Sequence, residues 1–261
     1  MNDPHYSQLF DLTGKTVIVT GSGYGLGKQM ALGLAACGAN VVVSGRTQSK
    51  LLETVDLIHK GGGNAIAVAF DATSRDSCDT LITETLATYP KLDAMVINYG
   101  VITVSKPEDT SEEEWHRVVN TNLTSCFYCA QAAGKQMIAQ GQGGSIVIIS
   151  SSGSVVSFDG LSAYGASKGG VDQLSRQLAS EWGKHGIRVN TMNPGYTTNP
   201  MADKPINTVD ESVEQVMRQM TPLERRGAPQ EFVGPVVFLV SDAASFVSGH
   251  TLMVDGGYCA R

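Results

Sequence analysis

Several things are missing from this 261-residue sequence, and each absence removes a class of protein. No apolar run approaches the roughly 18 residues that a bilayer-spanning helix needs. The first residues, MNDPHYSQLFDLTGK, have neither a basic flank nor an apolar stretch, so a signal peptide is not expected. Cysteine is scarce and odd in number: Cys37, Cys78, Cys126, Cys129 and Cys259 have no framework spacing. Cys126 and Cys129 form a C-x-x-C, but CFYCAQAA has the pattern of a buried helix, and small core residues are the expected reading. The scattered histidines contain no H-x-x-x-H or H-E-x-x-H, so no metal site is expected. Basic excess is missing too. A net charge of −6 and a pI near 5.3 disfavour a nucleic-acid or anionic-membrane partner. A cytoplasmic, soluble protein is the expectation.

No Pro/Ser/Gly tract divides the chain, so residues 1–261 are expected to form one domain. Short apolar runs recur at 16–20, 40–44, 65–70, 94–98, 145–150, 187–192 and 251–254, separated by stretches long enough for crossover helices. Their near-continuous apolarity suits a parallel sheet covered on both faces. The expected fold is therefore α/β: a Rossmann-type, doubly wound, seven-stranded parallel sheet. Ser111 followed by Glu114 in DTSEEEW is the pattern of a capping box. The stretch 196–227 interrupts the alternation with Pro200, Pro205 and Pro222 around INTVDESVEQVMRQM, which reads as a helix. Over the carboxyl edge of the sheet, such an insertion is placed as a substrate lid.

TVIVTGSGYGLGKQMALGLA reads as strand, glycine turn, then helix, with Gly21, Gly25 and Gly27 in a G-x-x-x-G-x-G spacing. The pattern supplies a tight turn and lets backbone N–H groups and a helix N-terminus approach a diphosphate. Tyr24 lies inside this loop. At the end of the second strand, VVVSGRT offers Arg46 where an acidic residue would bind a free ribose hydroxyl. A guanidinium there suits a 2′-phosphate, so NADP(H) is preferred and NAD(H) remains possible.

SAYGASK holds the remaining chemistry. Tyr164 and Lys168 are four apart in a helical pattern and project from one face, with small residues around them. A free phenol is a poor base at neutral pH, and a neighbouring ammonium favours the phenolate, so such a pair is a tunable proton donor or acceptor. Ser151, thirteen residues earlier at a strand end, can hydrogen-bond an oxygen that a phenol protonates. Asn122, in VVNTNLTSCF, can complete a proton path through water to the lysine.

Taken together, TGSGYGLG, NTNL, the serine of ISSSGS, YGASK, NPG at 193–195 and VDGG at 254–257 resemble the short-chain dehydrogenase/reductase family over essentially the whole chain. The resemblance implies that Ser151, Tyr164 and Lys168 are a catalytic triad, with Asn122 as a fourth member. It implies that Gly21, Ser22, Tyr24, Gly25, Leu26, Gly27 and Arg46 hold the cofactor. Asp71 would approach the adenine, and Ala72, with Asn98, Tyr99 and Gly100 after the fourth strand, would also bind the cofactor. Pro194, Gly195 and Thr197 would flank the nicotinamide, and Tyr164 and Lys168 would also touch the cofactor. Two departures stand out. The usual N-N-A-G is INYG here (97–100), and Asn199 replaces a customary threonine after P-G.

The implied activity is reversible hydride transfer between NADP(H), or NAD(H), and a secondary alcohol or ketone. Small polar residues after Ser151 (Ser152, Gly153, Ser154) suit a sugar acid, polyol or hydroxy-ketone, whereas Phe158, Tyr196 and Met201 can form an apolar wall. Two other readings stay open. One is a 3-oxoacyl thioester reductase, whose acidic carrier partner needs a basic patch for which only Lys184 and Arg188 offer themselves. The other is a dinucleotide-binding sensor without catalysis. The resemblance also implies a homotetramer, or failing that a dimer.

Overall fold

A computed structural model of the chain describes residues 6–198 and 211–261. Seven parallel strands form one sheet: β1 (Thr16–Thr20), β2 (Asn40–Gly45), β3 (Asn64–Ala69), β4 (Ala94–Ile97), β5 (Gly144–Ile149), β6 (Ile187–Pro194) and β7 (Thr251–Val254). Their order is β3-β2-β1-β4-β5-β6-β7, and all six pairings are parallel. The sequence reverses direction at β1, which puts the carboxyl ends of β1 and β4 at the switch point where such sheets bind ligands.

The helices are α1 (Gly25–Ala36), α2 (Gln48–Lys60), α3 (Arg75–Thr88), α4 (Glu112–Val119), α5 (Ser125–Gln140), α6 (Ser162–Trp182), α7 (Glu211–Met220) and α8 (Val233–Val240). Residues of α1, α2 and α8 pack into one core with the strand residues facing them. Those of α3, α5 and α6 build a second core on the opposite face. Strand residues divide between the two by period two: Val17 and Val19 go to one core, Ile18 to the other. Burial on both faces is why the inner strands β1, β4 and β5 are largely apolar.

The capping box forms only in part. Ser111 Oγ accepts from Glu114 N at 3.1 Å, but the Glu114 carboxylate turns away to accept from Thr103 Oγ1 at 2.7 Å. A tertiary hydroxyl from the loop after β4 thus takes the place of the local backbone donor. The 206–220 helix expectation is met over Glu211–Met220. Asn199, Pro200, Met201 and Pro205, with the middle of the 196–227 stretch, lie outside the described residues.

One ion pair fastens the chain downstream of α7, and a second lies within the helix. Glu214 meets Arg218 at 3.3 Å and Arg226 at 2.7 Å, while Arg226 also donates to Thr197 O at 3.1 Å. The clasp joins α7 to the parallel bridge Thr197–Gly227. The Arg226 hydrogen bond holds the Glu214 carboxyl below its ordinary value. A depressed carboxylate stabilises the fold above the free value near 4.5 and loses that contribution as pH falls through the folded value. Glu214→Gln should therefore melt about 2–4 °C below wild type at neutral pH, corresponding to about 1 kcal/mol. In thermal melts between pH 7 and pH 3 the gap should close progressively; a constant gap would deny the clasp.

Candidate active site

Backbone sterics fix the turn after β1. Gly21 has φ +63°, and a Cβ there would lie 1.8 Å from Asn98 O. At Gly27 a Cβ would lie 2.2 Å from Gly21 O, so the helix start and the turn are in backbone contact. Tyr24 is the N-cap of α1 without a side-chain cap bond. The first-turn amides, those of Gly25, Leu26 and Gly27 among them, are donors that a helix leaves without intrahelical acceptors. A 12-residue helix presenting such an end suits a diphosphate.

Ser22 departs from its expected role. Its hydroxyl donates to Val19 O at 2.6 Å and accepts from Ser44 N at 2.9 Å, and its amide donates to Ser44 O at 3.1 Å. Fully buried, it stitches β1 to β2, and neither polar group faces a ligand. Asn98 serves the turn as well. Its Nδ2 donates to Gly21 O at 3.2 Å and its amide to Thr20 Oγ1 at 3.0 Å.

The INYG departures resolve into core packing. Ile97 is fully buried in the second core, opposite Ile148 of β5. Tyr99 turns its ring into the same core, 6.1 Å from Phe70, and its hydroxyl meets Cys129 Sγ and Ser125 Oγ, each at 3.1 Å. Burial raises this phenol well above its ordinary value. The ring therefore packs within the second core. Cys126 and Cys129 are buried small residues, as expected. Cys129 Sγ lies 3.5 Å from Cys78 Sγ of α3, and burial pushes Cys126 up to about 11. Burial raises Cys129 as well, so neither Cys126 nor Cys129 is a thiolate at neutral pH.

At the far end of β2, Arg46 lies beside Asp71, which Thr73 N–H and Oγ1–H hold below its ordinary value, with a smaller contribution from the Arg46 charge. Sequence reasoning missed Lys50. Its ammonium lies 5.2 Å from the centre of the Tyr24 ring, and a Cβ on Gly23 would lie 3.1 Å from Lys50 Cβ. The available signal was a second basic residue four positions after Arg46, just inside α2. Arg46, Lys50 and Tyr24 thus border the open side of the glycine turn. Ala72, next to Asp71, packs partly buried against the second core.

Ser151 and Tyr164 meet around Gly153. One point, where a Gly153 Cβ would stand, lies 3.4 Å from both Ser151 Oγ and Tyr164 Cε1. Ser151 Oγ accepts from Gly153 N at 3.0 Å, so its own O–H remains to donate. The Tyr164 hydroxyl has no hydrogen-bond partner among the described residues, although the residue is only 7% exposed. Lys168 Nζ lies 5.9 Å from the centre of the Tyr164 ring and donates to Ile149 O at 2.9 Å, leaving two of its three donors.

Gly100 links the lysine to Asn122. A Cβ there would be 3.2 Å from Asn122 Oδ1 and 3.6 Å from Lys168 Nζ. Asn122 sits in a π-helical turn, Asn120–Thr124, of the kind often found at functional sites. Its amide hydrogens go to Val101 O at 2.9 Å and Ser167 Oγ at 3.0 Å, and its Oδ1 accepts from Val101 N at 2.8 Å. The side chain thus joins the β4 loop to α6, and neither of its N–H groups is left for a water.

Pro194 ends β6, and Gly195 is pressed against Asp255, where a Cβ would be 2.7 Å from Asp255 Cα. Beyond it, Tyr196 meets Phe158 edge-on at 5.9 Å and Tyr258 edge-on at 5.6 Å, beneath Arg226 at 5.6 Å. Phe158 also reaches within 3.6 Å of the Gly153 Cβ position, so this aromatic cluster adjoins Ser151 and Tyr164. A cavity of about 520 Å³ lies on the other side of Tyr196, between Leu223, Phe232 and Asp255. Among the described residues no cluster could hold a metal ion, and no helix is long and apolar enough to cross a membrane.

Comparison with known proteins agrees with this geometry. Residues 21–259 match the family model described as enoyl-(acyl carrier protein) reductase. The 2-dehydro-3-deoxy-D-gluconate 5-dehydrogenase of Escherichia coli is 38% identical over 97% of this chain and 98% of its own. The crystal structure of a short-chain type dehydrogenase/reductase from Mycobacterium marinum is 33% identical, covering 98% of this chain and 99% of that one, with TM-score 0.90. That of a gluconate 5-dehydrogenase from Burkholderia cenocepacia, in complex with NADP and tartrate, is 31% identical, covering 98% and 100%, with TM-score 0.93. The chain belongs to the short-chain dehydrogenase/reductase family.

Proposed function

We propose that the chain, acting as a single domain, interconverts a secondary alcohol and a ketone on a hydroxylated sugar acid, with NADP(H) as the preferred cofactor. The observation that carries this reading is the meeting of Ser151 Oγ and the Tyr164 ring at Gly153, one helical turn from the Lys168 ammonium. A bound nicotinamide supplies or takes the hydride at the carbinol carbon. Tyr164 moves the proton at the substrate oxygen, giving it to the carbonyl in reduction and removing it from the alcohol in oxidation. The Ser151 O–H donates to the same oxygen and fixes its position as charge develops. Lys168, anchored on Ile149 O, holds positive charge beside the phenol and has donors left for the ribose. Asn122 keeps the Val101 backbone and α6 in register around this group.

Substrate class is supported by the relatives that act on gluconate-type acids. The carrier-protein alternative loses one of its two cations. Arg188 is turned inward to the carbonyls of Val240, Ser241 and Val247 at 3.2–3.5 Å. Tyr196, at the start of the stretch placed as a lid, forms an aromatic wall with Phe158 and Tyr258. Exposed Val216, Met220, Leu223 and Phe246, with the tail around Tyr258, support assembly into a homotetramer, which light scattering on the purified protein would test. The cytoplasm is the matching compartment.

The activity test is NADP⁺ reduction with gluconate-type acids and NADPH oxidation with their keto forms, set against polyols, simple ketones and 3-oxoacyl thioesters. Sugar-acid turnover is expected. Turnover of thioesters alone would favour the carrier-linked reaction, and silence despite cofactor binding would favour a sensor. For the cofactor, Arg46→Ala should weaken NADP(H) binding roughly 10–100-fold, the loss of one charge-assisted phosphate contact, and leave NAD(H) binding nearly unchanged. Calorimetric titration of both cofactors reads this, and equal losses would remove Arg46 from the 2′-phosphate site.

A further inference from the structure

A second buried polar group lies directly behind the site, and the mechanism above does not use it. Asp172 follows Lys168 by one turn on the same face of α6 and is 3% exposed. It faces Asn193, the fully buried penultimate residue of β6. Asn193 Nδ2 lies 3.3 and 3.1 Å from the two Asp172 carboxylate oxygens, 3.0 Å from Ser151 O and 2.9 Å from Ser154 Oγ. One amide nitrogen, with two hydrogens, thus serves four acceptors. Its own carbonyl oxygen, Oδ1, is buried without a partner.

An orphaned buried acceptor is a cost that a chain avoids unless something fixes it. The carboxylate fixes it. Turning the Asn193 amide over would set Oδ1 against two carboxylate oxygens, Ser151 O and Ser154 Oγ. Asp172 therefore dictates that Asn193 points its N–H groups at the backbone of Ser151. The loop is held again by Ser154 Oγ donating to Ser151 O at 2.8 Å and by Gly153 N donating to Ser151 Oγ at 3.0 Å.

We propose that Asp172 and Asn193 are a positioning pair: the buried carboxylate orients the Asn193 amide, which holds the Ser151 backbone so that its hydroxyl meets the substrate oxygen beside Tyr164. The inference rests on Ser151 being the residue that orients that oxygen. Neither Asp172 nor Asn193 touches substrate. The pair acts through Ser151 alone, and this separates it from a general contribution to stability. Asp172→Asn keeps the shape and removes the charge that decides the Asn193 orientation, so the loop loses its fixed anchor.

A double-mutant cycle tests this, with kcat, substrate KM and cofactor Kd measured for wild type, Asp172→Asn, Ser151→Ala and the double variant. Asp172→Asn is expected to lower kcat by about 10- to 100-fold with cofactor Kd unchanged, the scale of a misplaced reacting group. In the Ser151→Ala background the same change should lower kcat less than about twofold. An equal loss in both backgrounds would overturn the proposal, as would full activity of Asp172→Asn. Full activity of Ser151→Ala would instead overturn the reading of Ser151, and the pair's role with it. If Asp172→Asn does not fold, Asn193→Ser takes its place in the cycle, since it keeps a donor for Asp172 but shortens the reach to Ser151 O. The same outcomes then decide.

Discussion

Tyr164→Phe is expected to lower kcat by about 10²-fold or more and to leave the cofactor Kd unchanged. The reasoning is local. Among the described residues the phenol has no hydrogen-bond partner, so its loss unfastens nothing in the protein. The ring remains, packed against Val118 and Ala163, so the helix face keeps its shape. What disappears is the group proposed to exchange a proton with the substrate oxygen, and general acid–base catalysis contributes about 10²–10⁴-fold. Steady-state kinetics with cofactor titration reads both quantities. An undiminished turnover number would remove Tyr164 from the chemistry, and a matching loss of cofactor affinity would give it a binding role instead.

The second large effect is structural. Gly21→Ala would place a Cβ 1.8 Å from Asn98 O at a backbone φ of +63°. Strain in the left-handed region costs about 1–2 kcal/mol, and overpacking adds about 1–3 kcal/mol. Denaturant unfolding should show a loss of about 2–5 kcal/mol, and dinucleotide binding should fall at least about 10²-fold as the turn shifts. Gly14→Ala is the internal control. Gly14 has φ +76° but nothing within 4 Å of its Cβ position, so it should lose only the strain. Equal losses at the two positions would mean that the contact with Asn98 is unimportant.

How much of this was legible in the sequence depended on the range of the interaction. The strands were readable to within about two residues because parallel strands buried on both faces are apolar throughout, which marks them without any partner. The placement of Ser151 just after a strand, and of Tyr164 and Lys168 on one face of a helix, was readable because both are local geometry. Contacts that cross the sheet were not. Ser22 looked like a cofactor contact, but its hydroxyl is taken by Val19 and Ser44, two residues that local pattern does not point to. Tyr99 was implied to lie at the cofactor, yet its hydroxyl finds Ser125 and Cys129 in the second core. Glu114 signalled a capping box and found Thr103 instead. Asp172 and Asn193 are 21 positions apart, and their meeting follows only from packing α6 on β6.

The measurement that bears most directly on the central claim is a crystal structure of the protein with NADP⁺ and a sugar-acid substrate bound. The account predicts one substrate oxygen within about 2.6–3.2 Å of both Tyr164 Oη and Ser151 Oγ, with its carbon facing the nicotinamide. It also predicts the Lys168 ammonium on the ribose and the adenosine phosphate against Arg46. A substrate carbinol seated elsewhere, or a Tyr164 hydroxyl directed away from the nicotinamide, would contradict it.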